Sequence, residues 1–442
     1  MDRGERDRRT NVKRILSIGV VLALFNSPGA DAWTPKIAAS NPAVNSQLML
    51  NFGYSIASQG STVHMVWTQI SSPTLDPREN VGTLYYAYST NGGASFSAPV
   101  MIEQQGYVGF PKIAASGTGS GIYIAYHYRQ SGTDVRQIYV RRWTPNTGWQ
   151  RSQLTNYTSE ATAVAPAVAT WGNAVYVVWQ QDSAACPTCP VAPEIVLSKS
   201  LSSGDPGTWS AAAYVSPPDG CPSWTPAISA LGSTVHVAWT DERYRNSVNT
   251  VDCSGWNVPG TQGREELYYR RSTSWGDGFD GADGVRLTYD PTTPVSTWAP
   301  SIAAAANGEI HVAYFDQTGG SFQIYHKVGT GGGTDWSTPA ELVNQYGSSA
   351  PINAARPVLA VSSNTIHMIW YGAYPASVDV FYSKKALTGG AWSTPENLTN
   401  NPSSHISTEP SIAVDANDNA CVNWYEKSGV NGNGVVYFQK SQ

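Results

Sequence analysis

The stretch TPAISALGSTVHVAW (225–239) decides the fold. It holds two short apolar runs separated by a Gly-Ser turn. The first run is opened by Pro226; the second alternates through Val235, His236 and Val237 and ends on Trp239. Short alternating runs rich in β-branched and aromatic residues and bounded by turn formers read as β-strands.

The second run recurs along the chain. It reads STVHMVW (61–67), GIYIAY (121–126), NAVYVVW (173–179), EIHVAY (309–314), TIHMIW (365–370) and NACVNW (419–424). The anchor aromatics Trp67, Tyr126, Trp179, Trp239, Tyr314, Trp370 and Trp424 lie 53 to 75 residues apart. The first run recurs upstream of each, often opened by proline: FPKIAAS at 110, APAVAT at 165, APSIAA at 299, RPVLAV at 356 and EPSIAV at 409. A third alternating run follows each anchor, as in TLYYAYS and ELYYRRS, and an aromatic-led fourth follows a Gly-rich turn.

Four strands per unit and a period of this length predict a seven-bladed β-propeller of four-stranded antiparallel blades. One such sheet cannot bury both faces alone, and radial stacking covers them. The seventh unit stops after its third strand, at Tyr437-Phe438-Gln439-Lys440, and AWTPKIAASNP (32–42) aligns with the outer strand AWSTPENLTNNP (391–402). Trp33 to Ala39 is therefore expected to complete the last blade and close the ring. An extra inner strand is the alternative, since TPKIAAS also matches FPKIAAS.

The turn Ser89-Thr90-Asn91-Gly92-Gly93-Ala94-Ser95-Phe96 resembles the Asp-box, or bacterial neuraminidase repeat, of the sialidase-like superfamily, with Asn91 in place of Asp. GGTDWSTP (332–339) and GGAWSTP (389–395) are weaker copies. The resemblance implies a sialidase-like propeller. It does not imply sialidase activity, because the box is a folding element, and the chain lacks the family's Arg-Ile-Pro motif.

Residues 1–32 read as a secretory signal peptide, with a basic start, the apolar run Ile15 to Phe25 and the small residues Ala30 and Ala32 flanking Asp31. Arg8-Arg9 leaves twin-arginine export as an alternative to the general secretory route. Residues 33–442 then form one secreted or periplasmic propeller domain. The chain has 442 residues, 13% of them charged, with a formal net charge of −5. Disorder, coiled coils and helical bundles are excluded by this composition and patterning. No basic block follows the signal, so nucleic acid is not an expected partner, and no later stretch suits a membrane span.

Four histidines (His64, His236, His311, His367) share one repeat position. This argues for packing between blades, with a ring N–H on backbone, rather than for metal binding. Binding groups are expected in the variable loops after the second strands and in the loops leading into the first. They are Asp182, Trp224, Asp241, Glu242, Arg243, Trp256, Trp298, Asp316, Arg356, Tyr371, His405 and Glu426, with Glu409 beside them. Aromatic platforms with scattered carboxylates and arginines suit a sugar. His127-Tyr128-Arg129 is the candidate catalytic set, because a base, an acid and a cation for a uronate carboxylate are the needs of β-elimination. Adjacent strand residues point to opposite faces, which tells against that set. A glycosidase pair, Asp241 or Glu242 with Asp316, is the second enzymatic option.

Cys221–Cys253 and Cys186–Cys189 are the expected disulfides, a four-cysteine zinc site the alternative, and Cys421 an expected free thiol. Asp277, Asp280 and Asp283 read as an expanded turn, with a structural Ca²⁺ site as the alternative; no cofactor is otherwise required. The expected function is non-catalytic binding of a glycan or a cell-surface protein. The alternatives are a polysaccharide-degrading enzyme, preferably a uronate-dependent lyase, or an extracellular structural protein.

Overall fold

The computed structural model describes residues 31–40, 54–70, 82–117, 121–130, 135–157, 162–182, 192–245, 250–254, 264–289, 296–317, 321–345, 353–374, 377–402, 404–428 and 434–442. The signal segment, Cys186, Cys189 and Trp256 lie outside them. The described strands belong to one compact unit, Ala32–Gln442. The fold is all-β, built of antiparallel meanders. Among the described residues no helix is long and apolar enough to cross a membrane.

Each meander starts with an inner strand: Tyr54–Gln59, the second half of Val100–Ala115, Ala163–Trp171, Ser223–Leu231, Thr297–Ala304, Asn353–Val361 or His405–Val414. Each pairs with the strand that ends near an anchor aromatic, as Ser223–Leu231 does with Thr234–Asp241. Third and fourth strands follow on the same side, as in Glu266–Ser272 and Val285–Arg286. Val100–Ala115 serves two meanders, pairing with Gly82–Ser89 and then with Ile122–Gln130. Each inner strand lies against the next in chain order, and His405–Val414 returns to Tyr54–Gln59.

The apolar faces pack sheet on sheet. Met65 and Trp67 of the first meander share a cluster with Cys421, Tyr425 and Phe438 of the last. Trp239 packs with Tyr176 and Leu197 of the meander before it. Trp179, Trp239 and Trp424 are wholly buried. Burying a ring of this kind removes roughly 150–250 Å² from water, which contributes on the order of 4–6 kcal/mol.

The N-terminal segment pairs with the last strand: Ile37 faces Phe438, Ala38 faces Tyr437, and Trp33 bridges to Ser441. The Trp33 indole donates to Glu396 at 2.9 Å and its ring meets Tyr382 edge-on. In that sheet Ile37–Ala38 lies at the end of the strand order, beside Gly434–Lys440.

In the turn at Asn91, the Asn91 carboxamide oxygen accepts from the Ser95 N–H at 3.0 Å and the Gly93 N–H donates to Ser89 Oγ at 2.8 Å. Gly93 sits at φ +90°, and a Cβ there would overlap the Phe438 ring of the last meander. The turn thus docks on the neighbouring sheet, and only glycine meets both conditions.

The repeated histidines are buried, as expected, but their partner differs. His64, His236 and His367 contact the hydroxyls of Tyr86, Tyr269 and Tyr382 at 2.7–2.8 Å, and His311 contacts His326. Those partners sit on the third strand of the same sheet, where backbone groups are already committed to the ladder. Burial lowers His64 and His236 to about 4.

Candidate functional site between the inner strands

The inner strands carry a shared irregularity. Phe110, Ala165, Thr225, Ala299, Arg356 and Glu409 all adopt φ between +46° and +54°. Each precedes a proline, and each sits at a break in the ladder, as between Trp224 and Ala227 or Ala355 and Val358. Proline lacks the N–H that a regular ladder would need, and a bulge removes that demand. Left-handed backbone costs a non-glycine residue about 1–3 kcal/mol and is concentrated at functional sites.

All six residues line one cavity of about 310 Å³ between the inner strands. Pro166, Pro226, Pro300, Pro357 and Pro410 make its walls largely apolar. Its titratable lining groups are Lys112, Arg356 and Glu409. Arg356 Nη1 pairs with Glu409 at 2.7 Å. A second cavity of about 490 Å³ shares Thr225, Ala299 and Arg356 with the first, and adds Trp298, Phe315, Phe322 and Tyr371. Trp298, Phe315 and Phe322 form an aromatic wall with ring centroids 5.5–5.6 Å apart. Burial raises the Tyr371 phenol, with Arg356 opposing and Glu409 reinforcing.

Of the residues singled out from the sequence, the structure brings together Trp298, Arg356 and Tyr371, with Glu409. Most of the others are tied up internally. Asp182 accepts from the Thr162 N–H and hydroxyl, Asp316 from the Thr297 hydroxyl, and Glu426 from the Trp424 indole while pairing with Lys36. Asp241 accepts from Ser223, from the Trp239 indole and from Arg243, whose guanidinium also lies over Tyr268. Glu242 accepts from the Trp224 indole and pairs with Arg245. These acids close the ends of the second strands. The glycosidase pairing of Asp241 or Glu242 with Asp316 therefore has its carboxylates already engaged. His405 lines neither cavity.

The set His127-Tyr128-Arg129 is not assembled as a triad. His127 stacks on Tyr107 at 5.4 Å and against Phe110 at 5.1 Å, and Arg129 lies over the same Tyr107. Tyr128 points the other way, to Tyr139 and Arg151. Period-2 alternation of a strand imposes this split. His127 is 1% exposed with neither ring nitrogen bonded, and burial, then Arg136 and Arg129, lower it to about 3.

Asp277 pairs with Lys199 at 2.6 Å and Asp280 with Arg271 at 2.6 Å, while the Asp283 carbonyl accepts from Arg243. They are not gathered around a common centre, and among the described residues no group of three or more potential ligands is gathered. Cys221 and Cys253 form a disulfide, so these two are not thiolate ligands for zinc. Cys421 is free and buried, its thiol pushed up to about 12 by burial.

Sequence reasoning passed over Lys112, Tyr107, Phe315 and Phe322. Lys112 carried a signal: its counterparts in the other proline-opened strands are Ala167, Ala227, Ser301, Val358 and Ser411, none of them charged.

No known family's sequence profile matches the chain, and no curated protein matches it in sequence. Solved structures do match in fold. An ulvan lyase of polysaccharide lyase family 25, bound to -[GlcA(1-4)Rha3S]-, aligns with TM-score 0.57 at 12% identity, over 91% of this chain and 95% of that one. The α-L-arabinanase of Penicillium chrysogenum aligns with TM-score 0.52 at 12% identity, over 93% and 98%. The family 93 α-L-arabinofuranosidase of Fusarium graminearum gives the same TM-score, identity and coverage. At such identity the likeness shows the fold alone, a β-propeller of the kind these glycan-active enzymes use.

Proposed function

We propose that the chain is an exported, seven-bladed β-propeller of the sialidase-like superfamily, closed by its N-terminal strand. It binds an acidic polysaccharide between the inner strands and cleaves it by β-elimination. The observation that carries the reading is the make-up of the two joined cavities. Among the described residues their lining has one carboxylate, Glu409, already paired with Arg356, beside Lys112, the Tyr371 phenol and the Trp298 wall. Hydrolysis by the usual route needs two carboxylates flanking the scissile bond. Elimination needs instead a cation that neutralises the uronate, and a proton acceptor and donor at the sugar. The cationic side of this lining suits the first role and Tyr371 the second, with Trp298 as the stacking face. The likeness of fold to a polysaccharide lyase supports the choice. The disulfide is in keeping with export.

The test is to incubate the purified chain with acidic polysaccharides and follow unsaturated uronate by ultraviolet absorbance. Tyr371→Phe should lower the rate by about 10²–10⁴-fold, the span of general acid–base catalysis. Arg356→Gly should do at least as much harm while leaving the fold intact, because φ +54° suits glycine. Release of reducing ends without unsaturated product would establish hydrolysis instead. Binding without turnover would return the protein to the non-catalytic reading.

A further inference from the structure

Lys112 lies two residues beyond left-handed Phe110 on its inner strand, and it lines the cavity with Arg356 and Glu409. Among the described residues its ammonium makes no hydrogen bond and no ion pair, and the charges acting on it are Glu409 and Arg356. Arg356 pairs with Glu409 at 2.7 Å, whereas Lys112 is a cation of this cavity that forms no such pair among the described residues. The walls around it are proline and aliphatic side chains such as Ile113, Ile228 and Ile302, with the hydroxyls of Ser55, Thr225, Ser301 and Ser411. The Lys112 side chain is half-buried, and this burial holds its ammonium below the usual lysine range. The fold does not require it: alanine, serine or valine fills the same place in the other strands. A charged group that lines the cavity and that the scaffold does without points to a ligand.

We propose that Lys112 is the receptor for the carboxylate of the bound sugar, so that this one side chain makes the site prefer a uronate to its neutral counterpart. The inference rests on the acidic-polysaccharide reading and names the group that enforces it. One ammonium matches a monoanion, and a cavity of about 310 Å³ is at the small end of the range for small ligands. Sulfate and phosphate share the anionic chemistry, and the experiment separates them from the carboxylate.

The test is calorimetric titration of the full chain with D-glucuronate, D-glucose and inorganic sulfate. The wild type should bind glucuronate about 10- to 100-fold more tightly than glucose. Lys112→Met should abolish that ratio and leave glucose affinity unchanged, whereas Lys112→Arg should keep most of it. Lys112→Met should also melt no lower than the wild type, because it removes an unpaired charge and keeps the volume. A preference for glucuronate that survives in a folded Lys112→Met overturns the inference and leaves the parent reading standing. A wild type that binds neither sugar sinks the parent reading itself. Sulfate binding more tightly than glucuronate, and lost in Lys112→Met, would overturn the assignment to a carboxylate.

Discussion

Gly93 and Gly60 form a controlled pair for measuring how strongly the sheets are locked together. Both have positive φ, +90° and +60°. Gly60 is exposed, with nothing within 4 Å of a built Cβ, whereas Gly93 is buried under the Phe438 ring. Alanine at either position pays about 1–2 kcal/mol for left-handed backbone. It regains roughly 0.4–1 kcal/mol from the stiffer unfolded chain. Gly60→Ala should therefore cost about 0.5–1 kcal/mol. Gly93→Ala adds overpacking against Phe438, on the order of 1–3 kcal/mol, for a total of about 2–4 kcal/mol. Denaturant unfolding of both variants gives the difference from midpoints at a common slope. In a Phe438→Leu background the excess at Gly93 should shrink toward zero, because the ring that the methyl meets is gone. Equal costs at Gly60 and Gly93, or an excess that survives the loss of Phe438, would refute the account of the turn as a clasp between the last and first meanders.

Acid should weaken the fold through its neutral histidines. Their folded values of about 4 lie below the ordinary 6.5, so the stability present above pH 6.5 is lost as the pH falls toward 4. His236→Gln should flatten that part of a stability–pH curve measured by chemical unfolding. Glu194 behaves in the opposite direction: burial pushes its carboxyl up to about 9, and its Oε1 has no partner. Its stabilising share is complete below the unfolded value near 4.5 and fades as the pH rises toward 9. Glu194→Gln should accordingly gain about 3 kcal/mol at neutral pH, seen as a higher unfolding midpoint at pH 7 than at pH 4.5 relative to the wild type. Opening Cys221–Cys253, which spans 32 residues of chain, should cost about 3–4 kcal/mol, read by comparing the oxidised protein with a Cys221→Ser/Cys253→Ser variant.

The repeat of anchor aromatics and proline-opened strands was readable because each unit must bury the same face, and burial writes itself into residue type. The site was only partly readable. Asp241 and Asp316 look like ligand groups in a string of letters, yet Ser223 and Thr297, their partners, lie 18 and 19 residues away across a hairpin. Nothing local announces that pairing. The indole-to-acid contact of Trp239 with Asp241 is two residues long and was visible in principle, since Trp424 and Glu426 repeat it. Left-handed geometry at Arg356 and Glu409 was not visible, because a following proline disfavours helical backbone without dictating the sign of φ. His127 and Lys112 both break their repeat position: neither His127 ring nitrogen is hydrogen-bonded among the described residues, and Lys112 lines the cavity. Departure from the repeat was the informative signal, more than residue chemistry by itself.

The left-handed residue before each inner proline has a further consequence for how such a protein can change. At that point the strand leaves the ladder, so the residue there is released from strand pairing. Phenylalanine, alanine, threonine, alanine, arginine and glutamate occupy the same backbone geometry around one cavity. The backbone strain is much the same for all of them, so exchanging one for another changes the lining with little effect on the scaffold. The six positions thus work as a set of equivalent sockets. New ligand preferences can be reached by substitution at six positions, without moving a strand.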